Sequence, residues 1–214
     1  MLVKDVMSEH SIVIGPEASV LDAKEIMKKN KVSKLAVVDK NGVLIGLLTN
    51  ADLIKVSPSS ATTLDMYELG YLLSKMSVEK AMVKNVKTTI AEQTVEEAAR
   101  LMKDNGITCL PVVNDDILIG MVTQSDLFEC FIEMFSTKTP GTRAVVIVDE
   151  KPGTLAKLAE AVAAKNGNIV SLVTSDVADA RRRKITMKIT GITETETKNI
   201  LVDCGCQMED IRSV

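Results

Sequence analysis

The chain has 214 residues, 46% of them hydrophobic, with mean hydropathy +0.15 and a formal net charge of −3. That is enough apolar material for one large core or two to three small ones, which excludes a disordered chain, and the acidic balance argues against a general nucleic-acid binder. With no Trp, two Tyr and three Phe, the core must be aliphatic and methionine-rich.

Met1-Leu2-Val3-Lys4-Asp5 lacks the apolar stretch of a signal peptide. Runs such as Val43 to Leu48 are too short to span a bilayer. Cys109, Cys130, Cys204 and Cys206 show neither disulfide-framework nor metal spacing, and His10 is the one histidine. The expectation is a cytoplasmic protein with buried, unreactive thiols, no metal and no membrane segment.

In chain order, a short extended piece at Ile12 to Ile14 precedes a helix announced by the capping box Ser19-x-x-Asp22. Val20, Ala23 and Met27 form its buried stripe. Strands at about 35–39 and 43–49 follow, joined by the hairpin signal Asn41-Gly42. Ser57 to Thr63 is loop composition, and Leu64 to Met76, with Tyr67 and Leu72 among its apolar positions, reads as a linking helix. The plan then repeats. Val86 to Thr89 is extended, Thr94-x-x-Glu97 caps a helix with Val95, Ala98, Ala99 and Met102 on its inner face, and strands follow at 109–114 and 117–123 around Asn114-Asp115-Asp116. Residues 5–53 align with 80–127 with one deletion, so the fold is duplicated.

The stretch Gly46-Leu47-Leu48-Thr49-Asn50-Ala51-Asp52 returns as Gly120-Met121-Val122-Thr123-Gln124-Ser125-Asp126. In each copy a Thr stands where a strand turns into a helix, and an Asp follows on the first turn. Free N–H groups at that turn favour negative charge, and a carboxylate suits a partner with two adjacent hydroxyls, such as a ribose. Thr-x-x-Asp is equally a capping box that binds nothing. Phe128, Phe131 and Phe135 then share one helical face, read as core packing or as a subunit contact.

Thr137 to Thr142 reads as a linker. A strand at Ala144 to Val148 leads through Asp149-Glu150-Lys151-Pro152-Gly153-Thr154-Leu155 into a helix. Leu155, Leu158, Ala159, Val162 and Ala163 are its expected buried face, with Gly167 as its stop. Strands at Ile169 to Val173 and Ile185 to Ile189, a helix capped by Thr193-x-x-Glu196 and a strand at Met208 to Ile211 complete a β-α-β-β-α-β, ferredoxin-like order. Arg181-Arg182-Arg183-Lys184 is the densest basic run; beside Asp176 and Asp179 it reads as a solvated hairpin tip.

Residues 1 to about 136, with the doubled Gly-φ-φ-Thr-x-x-Asp and the Leu110-Pro111-Val112-Val113 strand, resemble a tandem pair of CBS domains. The resemblance implies an α/β (α+β) fold of two β-α-β-β-α repeats packed about a pseudo-two-fold axis. It also implies two clefts for AMP, ADP, ATP or S-adenosylmethionine. It assigns the ribose to Asp52 and Asp126, the phosphate side to Thr49 and Thr123, and the base side to Thr88. Val13 and Ala36 stand in the first repeat where Thr88 and Pro111 stand in the second. The site expected to work is therefore the one grouping Thr88, Pro111, Thr123 and Asp126, with Lys31 and Lys34 as candidate phosphate charges.

Residues 143–214, with Asp149-x-x-Pro152-Gly153-x-Leu155 and Asn168-Ile169, resemble an ACT domain. That implies edge-to-edge pairing and an amino-acid site at Asp149, Pro152, Gly153, Thr154, Leu155, Asn168 and Ile169. The expected domains are 1–75, 76–136 and 143–214, joined by the 137–142 linker. Their order resembles acetoin-utilization regulatory proteins of the AcuB type. The function expected is a ligand-sensing regulator, homodimeric, acting on a regulated enzyme partner, with no nucleic-acid or membrane partner. The alternatives are a dimerising subunit with vestigial sites and an enzyme. The sequence has no Gly-x-Ser-x-Gly, Walker loop or His-Glu pair to support the last.

Overall fold

The computed structural model describes residues 1–56 and 66–214 and divides into two compact units, Met1–Leu127 and Phe128–Val214. In the first unit β1 (Val13–Ile14), α1 (Val20–Asn30), β2 (Lys34–Val38), β3 (Leu44–Thr49) and α2 (Asn50–Val56) make the first repeat. After α3 (Met66–Lys75) and the single turn α4 (Val78–Ala81), the second repeat has α5 (Val95–Asn105), β4 (Cys109–Asn114) and β5 (Ile117–Thr123), then α6 (Gln124–Met134), whose residues from Phe128 on belong to the second unit. The expected loop from Ser57 to Thr63, Leu64, and the side chain of Tyr67 lie outside the described residues.

The local signals fold as their chemistry dictates. Ser19 and Asp22 cap α1 reciprocally, at 3.0 Å and 3.1 Å. The Asn41-Gly42 turn has Gly42 at φ +80, and Asp115 and Asp116 take φ +47 and +65, the left-handed geometry of tight hairpins. In the second repeat the extended lead-in narrows to one parallel bridge, Thr89 to Val112, matching the β1–β2 pairing of the first.

The two repeats exchange their lead-in segments. Leu2 bridges to Thr94 and Ser8 to Met121 in the second repeat, while Ser77 bridges to Ser19 and Val83 to Leu47 in the first. Val3, Val6 and Met7 accordingly pack with Ala98, Met102, Leu110 and Val122, and Val78, Ala81 and Met82 pack with Val20, Ala23, Met27 and Leu48. The exchange explains the motif glycines. A Cβ on Gly120 would lie 2.9 Å from the Ser8 carbonyl oxygen and 3.0 Å from Met7 Sδ, and one on Gly46 would run into Met82. Ala36, Cys109 and Met121 form a small shared core between the repeats.

The second unit carries β6 (Thr142–Asp149), α7 (Thr154–Ala163), β7 (Asn168–Asp176), β8 (Arg182–Thr190), α8 (Glu194–Asp203) and β9 (Gln207–Ser213), with antiparallel sheet order β7-β8-β6-β9. Ala144, Val146, Val148, Ile185, Met187 and Ile189 pack under Leu158, Val162, Ile200 and Leu201.

Several expectations are corrected here. Phe128 and Phe131 are 66% and 58% exposed; the buried residue of α6 is Cys130. Leu155, Ala159 and Ala163 are exposed, because α7 meets the sheet through Leu158, Ala161 and Val162, one step round the helix. The left-handed residue after α7 is Asn166, at φ +60. Gly167 is needed for a different reason: a Cβ there would meet Val162 and Ile192 at 2.8 and 2.9 Å. The expected linker is bonded into its unit, with Gly141 and Val214 exchanging two hydrogen bonds of 2.9 Å and Thr142 buried in β6. The basic run begins in the hairpin and continues into β8. Arg181 pairs with Asp179, Arg183 with Glu150 and Asp176, and Lys184 with Glu209, while Arg182 donates to Gln207.

Candidate functional site

Both copies of the Thr-x-x-Asp motif are capping boxes. Thr49 donates to Asp52 Oδ2 through its N–H at 3.1 Å and its hydroxyl at 2.6 Å; Thr123 donates likewise to Asp126 Oδ2, at 2.7 Å for both. Holding the strand–helix junction therefore occupies one carboxylate oxygen in each copy, and the second oxygen distinguishes them. Asp52 Oδ1 accepts from Lys55 Nζ at 3.0 Å, and Asp52 is 6% exposed. Burial pushes the Asp52 carboxyl up, but the bonds from Thr49 and the ion pair with Lys55 outweigh it and hold it below the ordinary value. In the second copy the position of Lys55 is held by Glu129, which ion-pairs with Lys138 at 2.6 Å. Among the described residues Asp126 Oδ1 accepts no hydrogen bond.

Asp126 opens into a cavity of about 350 Å³. Met121, Thr123, Ser125 and Asp126 line it from the second repeat; the rest comes from the first, with Ser8, His10, Ser11 and Ile12 and the segment Lys31 to Lys34. The lead-in wall is held by two Ser8–Met121 backbone bonds of 2.9 and 3.0 Å, and Lys34 Nζ reaches across to the Thr108 carbonyl at 3.1 Å. Lys31 caps α1 in the left-handed conformation, at φ +55; Gly106 holds the equivalent place in the second repeat, at φ +62. A lysine in that conformation is a local cost, and here it sits on the cavity. Cys109, beside Lys34, is buried, and burial pushes its thiol up against the pull of that lysine.

The expected grouping of Thr88 and Pro111 with Asp126 is not what the structure brings together. Thr88 lines two other cavities, one with Ile90, Gln93 and Arg100 and one with Gly46, Lys84 and Asp116. Pro111 lies in β4 opposite Met121, its carbonyl accepting from Thr89. The exchanged lead-ins are the cause. Residues 83–88 enter beside β3 of the first repeat, and residues 8–12 enter beside Asp126. His10, Ser11 and Ile12 were missed as cavity residues, because assigning each lead-in to its own repeat points the wrong way.

In the second unit a cavity of about 280 Å³ gathers Asp149, Lys151, Pro152, Gly153, Thr154 and Lys157 with Cys204 and Cys206. Gly153 takes φ +88 at the start of α7. The Cys206 thiol is pushed up to about 11, first by burial and then by Cys204. Leu155 is 44% exposed, and neither it nor Asn168 and Ile169 on β7 lines this cavity. Among the described residues no cluster of His, Cys, Asp or Glu could hold a metal ion, and no helix is long and apolar enough to cross a membrane.

Comparisons with known proteins agree with this architecture. The CBS domain family matches residues 3–59 and 78–133, and the TTHA0829-like ACT domain matches residues 140–212. Protein MJ1426 of Methanocaldococcus jannaschii is 31% identical over 155 residues, 62% of this chain and 92% of that protein. The L-aspartate semialdehyde sulfurtransferase of the same organism is 29% identical over 131 residues, 61% of this chain, but the match spans only 23% of that enzyme. Among solved structures, AcuB of Vibrio cholerae has TM-score 0.55 at 26% identity, covering 64% of this chain and 95% of that one. The CBS pair of protein MJ0100 with 5′-methylthioadenosine and S-adenosyl-L-methionine has TM-score 0.52 at 28% identity, covering 65% and 98%. CBSX2 in complex with AMP has TM-score 0.53 at 28% identity, covering 64% and 98%. The chain belongs to the CBS-domain family, as a tandem CBS pair followed by a TTHA0829-like ACT domain.

Proposed function

We propose that the chain is a cytoplasmic ligand-sensing regulatory protein, not an enzyme, that binds AMP, ADP or ATP in the Asp126 cavity. The observation that carries this reading is that Asp126, whose Oδ1 is open among the described residues, lines a cavity that also holds Lys31 and Lys34. The ribose hydroxyls donate to Asp126, and the phosphates lie toward the two lysines. The same lysines disfavour a sulfonium, so a phosphate-bearing ligand is preferred to S-adenosylmethionine. The relatives solved with AMP and with adenosyl ligands support the ligand class. Because the walls come from both repeats, a bound nucleotide favours the conformers in which they approach, which is how occupancy becomes a signal to an enzyme partner.

For the ACT domain, we infer an amino-acid site at Pro152-Gly153. The ligand carboxylate meets Lys151, Lys157 and the start of α7, and its amine meets Asp149. Asn168, Ile169 and Leu155 would be supplied across an edge-to-edge homodimer. The pathway served is open to the AcuB likeness.

Calorimetric titration with AMP, ADP, ATP, S-adenosylmethionine and 5′-methylthioadenosine tests the main reading. Saturable binding of at least one phosphate-bearing nucleotide, tighter than either sulfur ligand, is expected. No saturable binding of any of the five would reject it.

A further inference from the structure

The alternation of β8 turns Ile185, Met187 and Ile189 toward the helices and Thr186 and Lys188 to the opposite face. Lys188 is only 4% exposed there, yet among the described residues it forms no ion pair. Its Nζ donates to the Ser136 carbonyl at 2.9 Å, which uses one of its three donors. The strand register sets Ser171, Lys188, Arg143 and Arg212 in one row across the sheet. Three of these are cations, and like charges directly opposite one another repel. One acid, Asp210, serves both arginines, at 3.0 Å to Arg143 and 2.6 Å to Arg212. Among the described residues the Lys188 ammonium is left without a counter-charge.

Lys188, Arg143 and Ser171 line a cavity of about 500 Å³ whose apolar wall includes Phe131, Phe135 and Val214. The two Phe rings lie with centroids 4.6 Å apart. The segment that carries this wall is bonded to the sheet: Ser171 donates to the Met134 carbonyl at 2.7 Å and Ser136 to the Val170 carbonyl at 3.1 Å. A buried cation and two aromatic rings on the lining of one cavity make an amphipathic pocket within the size range of ligand sites, about 300–1,000 Å³.

We propose that this cavity binds a small apolar monocarboxylate. Its carboxylate supplies the charge that Lys188 lacks and reaches Arg143 with its second oxygen; its hydrocarbon tail lies against Phe131 and Phe135. The site shares no residue with the Asp126 cavity or with the Pro152-Gly153 loop.

The test titrates the full chain with hexanoate and with its neutral isostere hexanamide. Hexanoate should saturate and bind roughly tenfold or more tighter than the amide, as expected when a charged hydrogen-bonding partner is lost. Its terminal methyl should give nuclear Overhauser contacts to Phe131 and Phe135, which are readable because the chain has only three Phe and two Tyr. Lys188→Met should abolish the preference for hexanoate, and Asp126→Ala should leave it intact. If Lys188→Met does not fold, Phe131→Ala at a 58% exposed position should weaken both ligands alike. Equal affinity for hexanoate and hexanamide, absence of contacts to both rings, a preference that survives Lys188→Met, or one lost in Asp126→Ala would overturn the proposal.

Discussion

Lys55 closes Asp52: its Nζ lies 3.0 Å from Oδ1 of a carboxylate whose other oxygen already caps α2. The pair makes the first repeat's motif a self-contained helix start. Substituting Glu129 at the equivalent place leaves the second repeat's carboxylate available to an outside donor.

That relationship predicts a pH response. The Asp52 carboxyl is held below its ordinary value, about 3.9 when unfolded. Its contribution to stability is therefore present above that value and lost as the pH falls through the lower folded one. Lys55→Ala removes part of what opposes burial, so the Asp52 midpoint should rise and the acid loss of stability begin at higher pH. Carboxyl-carbon NMR titration of Asp52 reads this directly; an unchanged midpoint in Lys55→Ala would contradict it.

Lys31 predicts a trade of stability against binding. A non-glycine residue in the left-handed region costs roughly 1–2 kcal/mol. Lys31→Gly, which restores what Gly106 does in the second repeat, should stabilise the fold by about 1 kcal/mol after the entropy of glycine is counted. The same change should weaken AMP while leaving 5′-methylthioadenosine unaffected, since only AMP has a phosphate for the lysine. Denaturant midpoints and paired titrations check both halves; equal weakening of the two ligands would remove Lys31 from the phosphate side.

The exchanged lead-ins predict that Gly120 tolerates no side chain. A Cβ there meets the Ser8 backbone oxygen, which cannot yield without moving the cavity wall. Gly120→Ala should destabilise by about 1–3 kcal/mol, the usual cost of overpacking. Gly15→Ala, with nothing within 4 Å, should be near neutral. Urea denaturation of the two variants separates them, and equal midpoints would argue against the exchange.

Among the described residues, edge strands β7 and β9 leave the second unit's sheet unpaired on both sides, and such edges are ordinarily covered. Phe128 adds an exposed ring. Light scattering should therefore give a mass of at least twice 23.2 kDa; a monomer at micromolar concentration with and without nucleotide would reject the dimer.

Much of this architecture was legible in the residues. The duplication, the capping boxes at Ser19 and Thr193, the N-cap at Thr94, and the strands at 109–114 and 117–123 follow from local rules that need no tertiary context. The partnership of cavity residues was not legible, because it depends on Ser8 pairing with Met121 and Val83 with Leu47, contacts more than thirty residues apart in sequence. The CBS resemblance groups Thr88 with Asp126; the exchange sends it elsewhere. The sequence does carry one further signal. Aligning the repeats one turn past the motif sets Lys55 against Glu129, and that contrast of charge separates a closed carboxylate from an open one. The exposure of Leu155 and Phe131 was hidden for a related reason: apolar periodicity marks a helical face without saying which part of it meets the sheet.

The most direct measurement is AMP titration of the parent chain beside Asp126→Ala and Asp52→Ala. Hydrogen bonds to a charged group are worth roughly 1.5–3 kcal/mol, so losing the open carboxylate should weaken binding by about ten- to a hundredfold. Asp52→Ala, at a carboxylate already closed by Lys55, should bind AMP as the parent does. AMP affinity unchanged in Asp126→Ala, or lost in Asp52→Ala alone, would contradict the account.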